Sequence, residues 1–329
     1  MRGFEYYRPT TVAQTVSLLA RHGEKASIIA GGSDMLSMMK DGIAGPKLKA
    51  PLHLVDIKGI KDLASIRQEK NGVRIGAAVT LGDIVDSPLI QSKLALLSQA
   101  ALQVAVPQIR NVGTLGGNLC QRPRCWYFRG RLFKDCFRKG GSTCYALGGE
   151  NQYHAIFPAE TCAVVSPSDM AVVLSALNAS VEIAGPKGQR ILPMGQFYLT
   201  PNTNVLRETI LGPAEIVTAV EVPISASGTR GVFLKLRERA AFDFALVSVA
   251  VMVGRENGVI TDSRIVFGGV ASCPMRASSA EAALRGRKIE NAISAACAEA
   301  TRKARPLSNN AYKVKAAQGI LEKALVSLV

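Results

Sequence analysis

The chain has 329 residues, 48 % of them hydrophobic, enough apolar material for sizeable cores and two or three domains or subdomains. Lys and Arg number 40 against 25 Asp and Glu, a formal charge of +15, yet the longest apolar run, 244–253, is about half a bilayer crossing, so no membrane span is expected. The basic residues peak at Arg122, Arg124, Arg129, Arg131, Lys134, Arg138 and Lys139, inside a cysteine-rich stretch rather than on a groove-reading element, which argues against nucleic acid.

Thr11-Val-Ala-Gln14 reads as a capping box opening a helix over about 11–22, with Gly23 behind its last turn. A strand over 26–30 runs into the turn Gly31-Gly-Ser-Asp34, and further strands end near 55–57 and cover 72–79. Ser87-Pro88 opens a helix to about 106, followed by the loop Gly113-Thr-Leu-Gly-Gly-Asn118 and the cysteine stretch. Ser166-Pro-Ser-Asp169 caps a helix over 169–177, the segments 179–183 and 189–192 flank Gly185–Gly188 as a hairpin, and 216–222 is another strand. The Ser/Gly/Pro-rich break over 223–231 marks a domain boundary. Strands over 231–237, 245–255 and 259–267 follow, the last two joined at Asn257-Gly258, and then helices near 278–285, 289–304 and 312–328. That order is a small α+β domain with its sheet first.

Of seven cysteines, Cys273 and Cys297 stand apart and read as ordinary buried thiols. Cys125, Cys136, Cys144 and Cys162 lie in a Gly-, Arg- and Lys-rich stretch with no periodic apolar pattern, where clustering means ligation or disulfides. The N-terminus has no apolar h-region, so the expectation is a cytoplasmic chain without disulfides, or a periplasmic one exported on a partner's signal. An iron–sulfur cluster and a structural zinc both take four thiolates; zinc usually brings a close C-x2-4-C pair, which this set lacks. Cations around the cysteines would offset the charge of a thiolate-bound cluster and could dock an acidic partner.

The two glycine turns can present backbone N–H groups to a phosphate, although neither is a dinucleotide fingerprint. A flavin beside an iron–sulfur centre is a common redox pairing, so turns and cysteines point together to electron transfer between two bound centres.

Ile28–Leu36, Ile109–Leu119, Pro167-Ser-Asp169 and Lys235–Asp243, with Ile265–Val270 and Ala280–Gly286 beyond them, resemble in order the FAD-binding medium subunit of the molybdenum hydroxylases, the family of xanthine dehydrogenase and carbon monoxide dehydrogenase. The stretch from Gln121 to Cys162 resembles the insertion of a subgroup that carries an extra [4Fe–4S] cluster, as in 4-hydroxybenzoyl-CoA reductase and periplasmic aldehyde oxidoreductase. The resemblance implies an α+β fold: a vanillyl-alcohol-oxidase-type FAD domain in two subdomains over 1–224, with the insertion at about 120–163, and a small C-terminal α+β domain over 225–329. It implies that Ala30, Gly31, Gly32, Ser33 and Asp34 hold the FAD diphosphate from one side and Gly113, Thr114, Gly116, Gly117 and Asn118 from the other. Thr80 and Asp169 would complete the shell, with Lys235 near the isoalloxazine. Cys125, Cys136, Cys144 and Cys162 would be the cluster ligands, Cys120 a packed thiol, and Trp126 and Tyr127 a water shield. His154 reads as a hydrogen-bonded loop histidine.

By the same resemblance the molybdenum cofactor and a pair of [2Fe–2S] clusters belong to a large and a small partner subunit, and this chain passes electrons between them and an external acceptor. The alternatives are a free-standing FAD oxidoreductase of the same fold and a zinc-stabilised docking module.

Overall fold

A computed structural model describes residues 1–225 and 228–329, so part of the predicted boundary at 223–231 lies outside the described residues. Three sheets build the chain. β1 (Glu5–Tyr7), β2 (Ala26–Ile29) and β3 (His53–Asp56) form a parallel sheet in the order β1-β3-β2. Helix α1 (Val12–His22) joins the first two strands. Its capping box is present: Thr11 accepts from the Gln14 N–H and the Gln14 side chain returns to the Thr11 N–H. Helix α2 (Met35–Lys40) follows the first glycine turn.

β4 (Ile66–Glu69), β5 (Gly72–Gly76), β6 (Ser180–Gly185), β7 (Gly188–Pro193) and β8 (Ile216–Pro223) form an antiparallel sheet in the order β4-β5-β8-β6-β7. Between β5 and β6 run α3 (Leu81–Asp86), α4 (Pro88–Lys93), α5 (Ala95–Leu102), α6 (Pro107–Arg110), α7 (Leu115–Leu119), α8 (Trp126–Arg129) and α9 (Asp169–Ala176). The single helix expected over 87–106 is two. Leu94 leaves the helical region at φ −135° and buries its side chain between them; the second ends at Leu102, short of the expected 106, and Ala105 at φ 46° and Val106, held extended by Pro107, keep it from continuing.

The third sheet, β9 (Arg230–Leu236), β10 (Val247–Glu256), β11 (Val259–Gly268) and β12 (Met275–Arg276), is antiparallel in the order β12-β11-β10-β9 and is followed by α10 (Ser278–Leu284), α11 (Ile293–Thr301) and α12 (Tyr312–Val326). Asn257 and Gly258 both take positive φ, 50° and 79°, as a two-residue hairpin whose twist matches its strands requires. Strand β10 explains the longest apolar run. Val247, Val249, Val251 and Val253 face the core under α10–α12, while Ala250 and Met252 face the core that holds α3–α5, α9 and the five-stranded sheet. A strand buried on both faces loses the polar half of its alternation.

Candidate cofactor sites

A cavity of about 570 Å³ opens where the first sheet, α7, α9 and β9 meet. Every residue assigned to FAD from the sequence lines it except Thr80. The Thr80 hydroxyl instead donates to Asp83 at 2.6 Å and accepts from the Asp83 N–H, capping α3.

The two glycine turns divide their work differently from the expectation. In the second, Gly113 N–H donates to Ile109 O, Leu115 to Val79 O, Gly116 to Ala77 O and Gly117 to the Thr114 hydroxyl. Those donors are spent on the protein. Nor does the turn use left-handed backbone: none of Gly113, Gly116 and Gly117 has positive φ, and Thr114 caps α7 instead. Its glycines are demanded by packing, since a Cβ on Gly113 would lie 2.9 Å from Ile109 O and one on Gly116 2.9 Å from the Ala77 Cβ. The first turn is the opposite case. Among the described residues the N–H groups of Gly31, Gly32, Ser33 and Asp34 donate to no protein acceptor, and Gly32 sits at φ +73°. Free N–H groups converging on a cavity are what a diphosphate requires, so the residues fit the phosphate end of FAD. The turns also touch: a Cβ on Gly31 would fall 2.0 Å from Val112 O.

Asp34 is not open to the cavity as a bare carboxylate. It accepts from the Arg122 N–H at 2.7 Å, from Arg124 at 2.5 Å and from Arg129 at 2.6 Å, all contributed by the cysteine insertion. Burial would raise its pKa, but the two guanidiniums hold it below the usual carboxylate range. Arg122 and Arg124 themselves line the cavity, which the sequence reading missed; the dense basic run was the available signal.

At the other end the Lys235 ammonium donates to Asp169 at 2.6 Å and to Gln103 O at 3.3 Å. The pair is 1 % and 7 % exposed, so Lys235 is no solvated strand lysine. Burial raises the Asp169 pKa against the pull of Lys235 and Arg237. Lys235→Met should therefore destabilise the chain by about 3–5 kcal/mol, because it strands a buried carboxylate. Adding Asp169→Asn should recover most of that loss in denaturant titration; a double variant no more stable than Lys235→Met would refute the pairing argument. Beside this pair, Ala105 (φ 46°) and Phe242 (φ 54°) both take left-handed backbone and are joined by Phe242 N–H to Ala105 O, a strained contact on the cavity wall.

The second site is the cysteine pocket. Cys125, Cys136, Cys144 and Cys162 line one small cavity with His154, Arg138 and a wall of Phe128, Phe137, Tyr145 and Val164. Nearby backbone N–H groups favour the thiolate form of each: Phe128 and Tyr127 at Cys125, Arg138 and Lys139 at Cys136, Ala163 and Ala146 at Cys144, and Val164 at Cys162. Burial pushes Cys125 up to about 11 and raises Cys136, while the neighbouring Cys144 and Cys162 split, Cys144 lowered by the Cys162 thiol and Cys162 raised. Among the described residues no three His, Cys, Asp or Glu side chains are set for a single metal ion. The donor set, four soft sulfurs with the Arg138 cation beside them, fits a thiolate-bound cluster.

The remaining cysteines stand outside this pocket. Cys120 lines the larger cavity, burial pushing it up to about 12; Cys297 is buried, and Cys273 is only half-buried.

His154 reaches further than a generic loop histidine. Its Nε2 lies 3.2 Å from Cys125 Sγ, and burial, helped by Lys313, lowers its pKa to about 4. The C-terminal domain holds it there: Lys313, lowered to about 7 by burial, donates to the carbonyls of His154 and Gly269, and Asn310 donates to those of His154 and Ala155. Trp126 packs edge-on to Tyr153 and His154 but is itself exposed, so it shields the pocket only in part.

The basic run is mostly not a docking face. Lys139 is fully buried and donates to Gly130 O and Phe133 O, and Arg138, also buried, pairs with Glu208. Arg122 pairs with Glu208 and Arg124 and Arg129 with Asp34, which leaves Arg131 and Lys134 exposed. Internal carboxylates and carbonyls consume charge that the sequence showed only as an excess.

The fold and the larger cavity define an α+β protein that binds a nucleotide cofactor. Residues 2–225 match the FAD binding domain in molybdopterin dehydrogenase and residues 233–328 the CO dehydrogenase flavoprotein C-terminal domain, so the chain belongs to the family of FAD-binding subunits of the molybdopterin dehydrogenases. It is 37 % identical over 287 residues to the aldehyde oxidoreductase FAD-binding subunit PaoB of Escherichia coli (strain K12), covering 86 % of each chain. It is 30 % identical over 297 residues to the carbon monoxide dehydrogenase medium chain of Hydrogenophaga pseudoflava, covering 90 % of this chain and 85 % of that one. The solved carbon monoxide dehydrogenase of Hydrogenophaga pseudoflava superposes with a TM-score of 0.78 at 29 % identity, over 99 % of this chain and 96 % of that one. No helix among the described residues is long and apolar enough to cross a membrane.

Proposed function

We propose that this chain is the electron-transfer subunit of a heteromeric molybdenum hydroxylase, holding FAD in the larger cavity and a [4Fe–4S] cluster in the cysteine pocket. The observation that carries the second half is convergence: four cysteines spread from position 125 to 162 line one small pocket. Cys125, Cys136, Cys144 and Cys162 are the ligands. For FAD, the N–H groups of Gly31–Asp34 hold the diphosphate and the Thr114 and Asn118 side chains bound the opposite wall. Asp169 and Lys235 fix the isoalloxazine end. The fold is read as the vanillyl-alcohol-oxidase type, with the first two sheets as its subdomains and the domain division near 224/225.

Bound FAD exchanges electrons singly with clusters and in pairs with an external acceptor. What this chain contributes is placement: a buried cationic end at Lys235, a phosphate cradle, and a sulfur pocket whose His154 is held by the C-terminal domain. Substrate chemistry falls to partners, a large molybdenum-cofactor chain and a small [2Fe–2S] chain, as the name "medium chain" borne by the relatives suggests. The relative at 37 % identity is an aldehyde oxidoreductase subunit, which makes aldehydes the first substrates to test.

Co-expressed with its partners and purified, the chain should carry one FAD and four irons. Purified alone it should bind FAD yet fail to oxidise aldehydes with artificial acceptors. Turnover by the single chain at the rate of the complex would promote the free-standing oxidoreductase, and a colourless pocket holding zinc would remove the cluster.

A further inference from the structure

We propose that the cysteine insertion completes the diphosphate end of the FAD site through Asp34, so that cluster assembly and FAD binding strengthen each other. The inference rests on the two-cofactor reading above. An unbroken series of contacts joins the sites. Arg138 lines the cysteine pocket and pairs with Glu208 at 2.8 Å; Glu208 pairs with Arg122 at 2.8 Å. The Arg122 carbonyl accepts from Arg129 at 2.9 Å, and Arg129 and Arg124 grip Asp34.

Charge gives the series its consequence. A bare Asp34 carboxylate in the turn that offers four free N–H groups would repel a diphosphate. Arg124 and Arg129 turn that −1 into a local +1, and Arg124 lies on the cavity wall, its guanidinium also bonded to Gln121 and 4.9 Å above the Phe244 ring. Both arginines flank Cys125, which occupies the N-cap position of the four-residue helix that ends at Arg129, and Arg138 lies two residues from Cys136. Of the buried apolar residues in this stretch only Ile156 joins a main hydrophobic core, the rest packing locally around the cysteine pocket, so ligation of the cysteines adds ordering energy. Linkage then runs both ways: whatever factor the cluster adds to FAD affinity, FAD adds to cluster retention.

The test measures FAD dissociation constants by flavin fluorescence on the full chain, iron-loaded and chelator-stripped, in wild type and Arg129→Gln. Stripping wild type should weaken FAD binding by a factor between about 5 and 150, the usual range for coupled sites. Arg129→Gln should weaken FAD in the loaded protein while retaining four irons, and should add little in the stripped one. Equal FAD affinity of loaded and stripped wild type, with four irons bound in the former, overturns the coupling and leaves the two-cofactor reading standing. An equal loss from Arg129→Gln in both states also overturns it. A native chain with FAD and no iron removes the cluster, and the coupling with it.

Discussion

Cys136→Ser and Cys144→Ser chains should each emerge from purification without their four irons, whereas Cys120→Ser, Cys273→Ser and Cys297→Ser should keep all of them. Serine offers a harder oxygen donor that stays protonated where a thiolate forms, so one substitution removes a corner of the sulfur set. The geometry makes the controls pointed. Cys120 is close to the insertion in sequence and half-buried like Cys125 and Cys144, but its side chain lines the other cavity. Iron per chain by elemental analysis is the readout. Four irons retained in Cys136→Ser, or iron lost in Cys120→Ser, would overturn the ligand assignment.

Gly31→Ala should remove FAD and weaken the fold together. The new Cβ would lie 2.0 Å from Val112 O and 2.9 Å from Gly113 Cα, backbone atoms that no rotamer change can move aside. The two glycine turns must separate, which costs about 1–3 kcal/mol as overpacking does and pulls the free N–H groups of the first turn away from the second wall. Flavin content should fall at least tenfold in the purified protein, roughly 1.4 kcal/mol in binding. Gly148→Ala is the matched control, since nothing lies within 4 Å of its added Cβ, and it should bind FAD normally. Full flavin content in Gly31→Ala would mean that the contact between the turns is not what shapes the cradle.

Much of the architecture was legible in the residues because the interactions that make it are local. The Thr11–Gln14 capping box and the Asn257-Gly258 hairpin each close within four residues, and both formed as read. Sheet-first order in the C-terminal part followed from strand and helix periods that need no knowledge of partners. The four clustered cysteines and the cavity-lining glycines stood out by residue type and spacing, their cofactor roles came from the family resemblance, and the fold brought each set to one place.

What sequence could not reveal was which polar groups are already spent. Both glycine turns read as phosphate cradles, yet the N–H groups of Gly113, Leu115, Gly116 and Gly117 go to Ile109, Val79, Ala77 and Thr114, and four free donors lie in the turn at Gly31–Asp34. The basic run looked like a docking face, yet Lys139 is buried on two carbonyls and Arg124 and Arg129 bind a carboxylate 90 and 95 residues away. Residue type and local spacing decide where a turn or helix forms and which side chains can ligate. Whether a donor, a charge or a thiol is free to act depends on long-range partners and on burial, and only the packed chain brings those together.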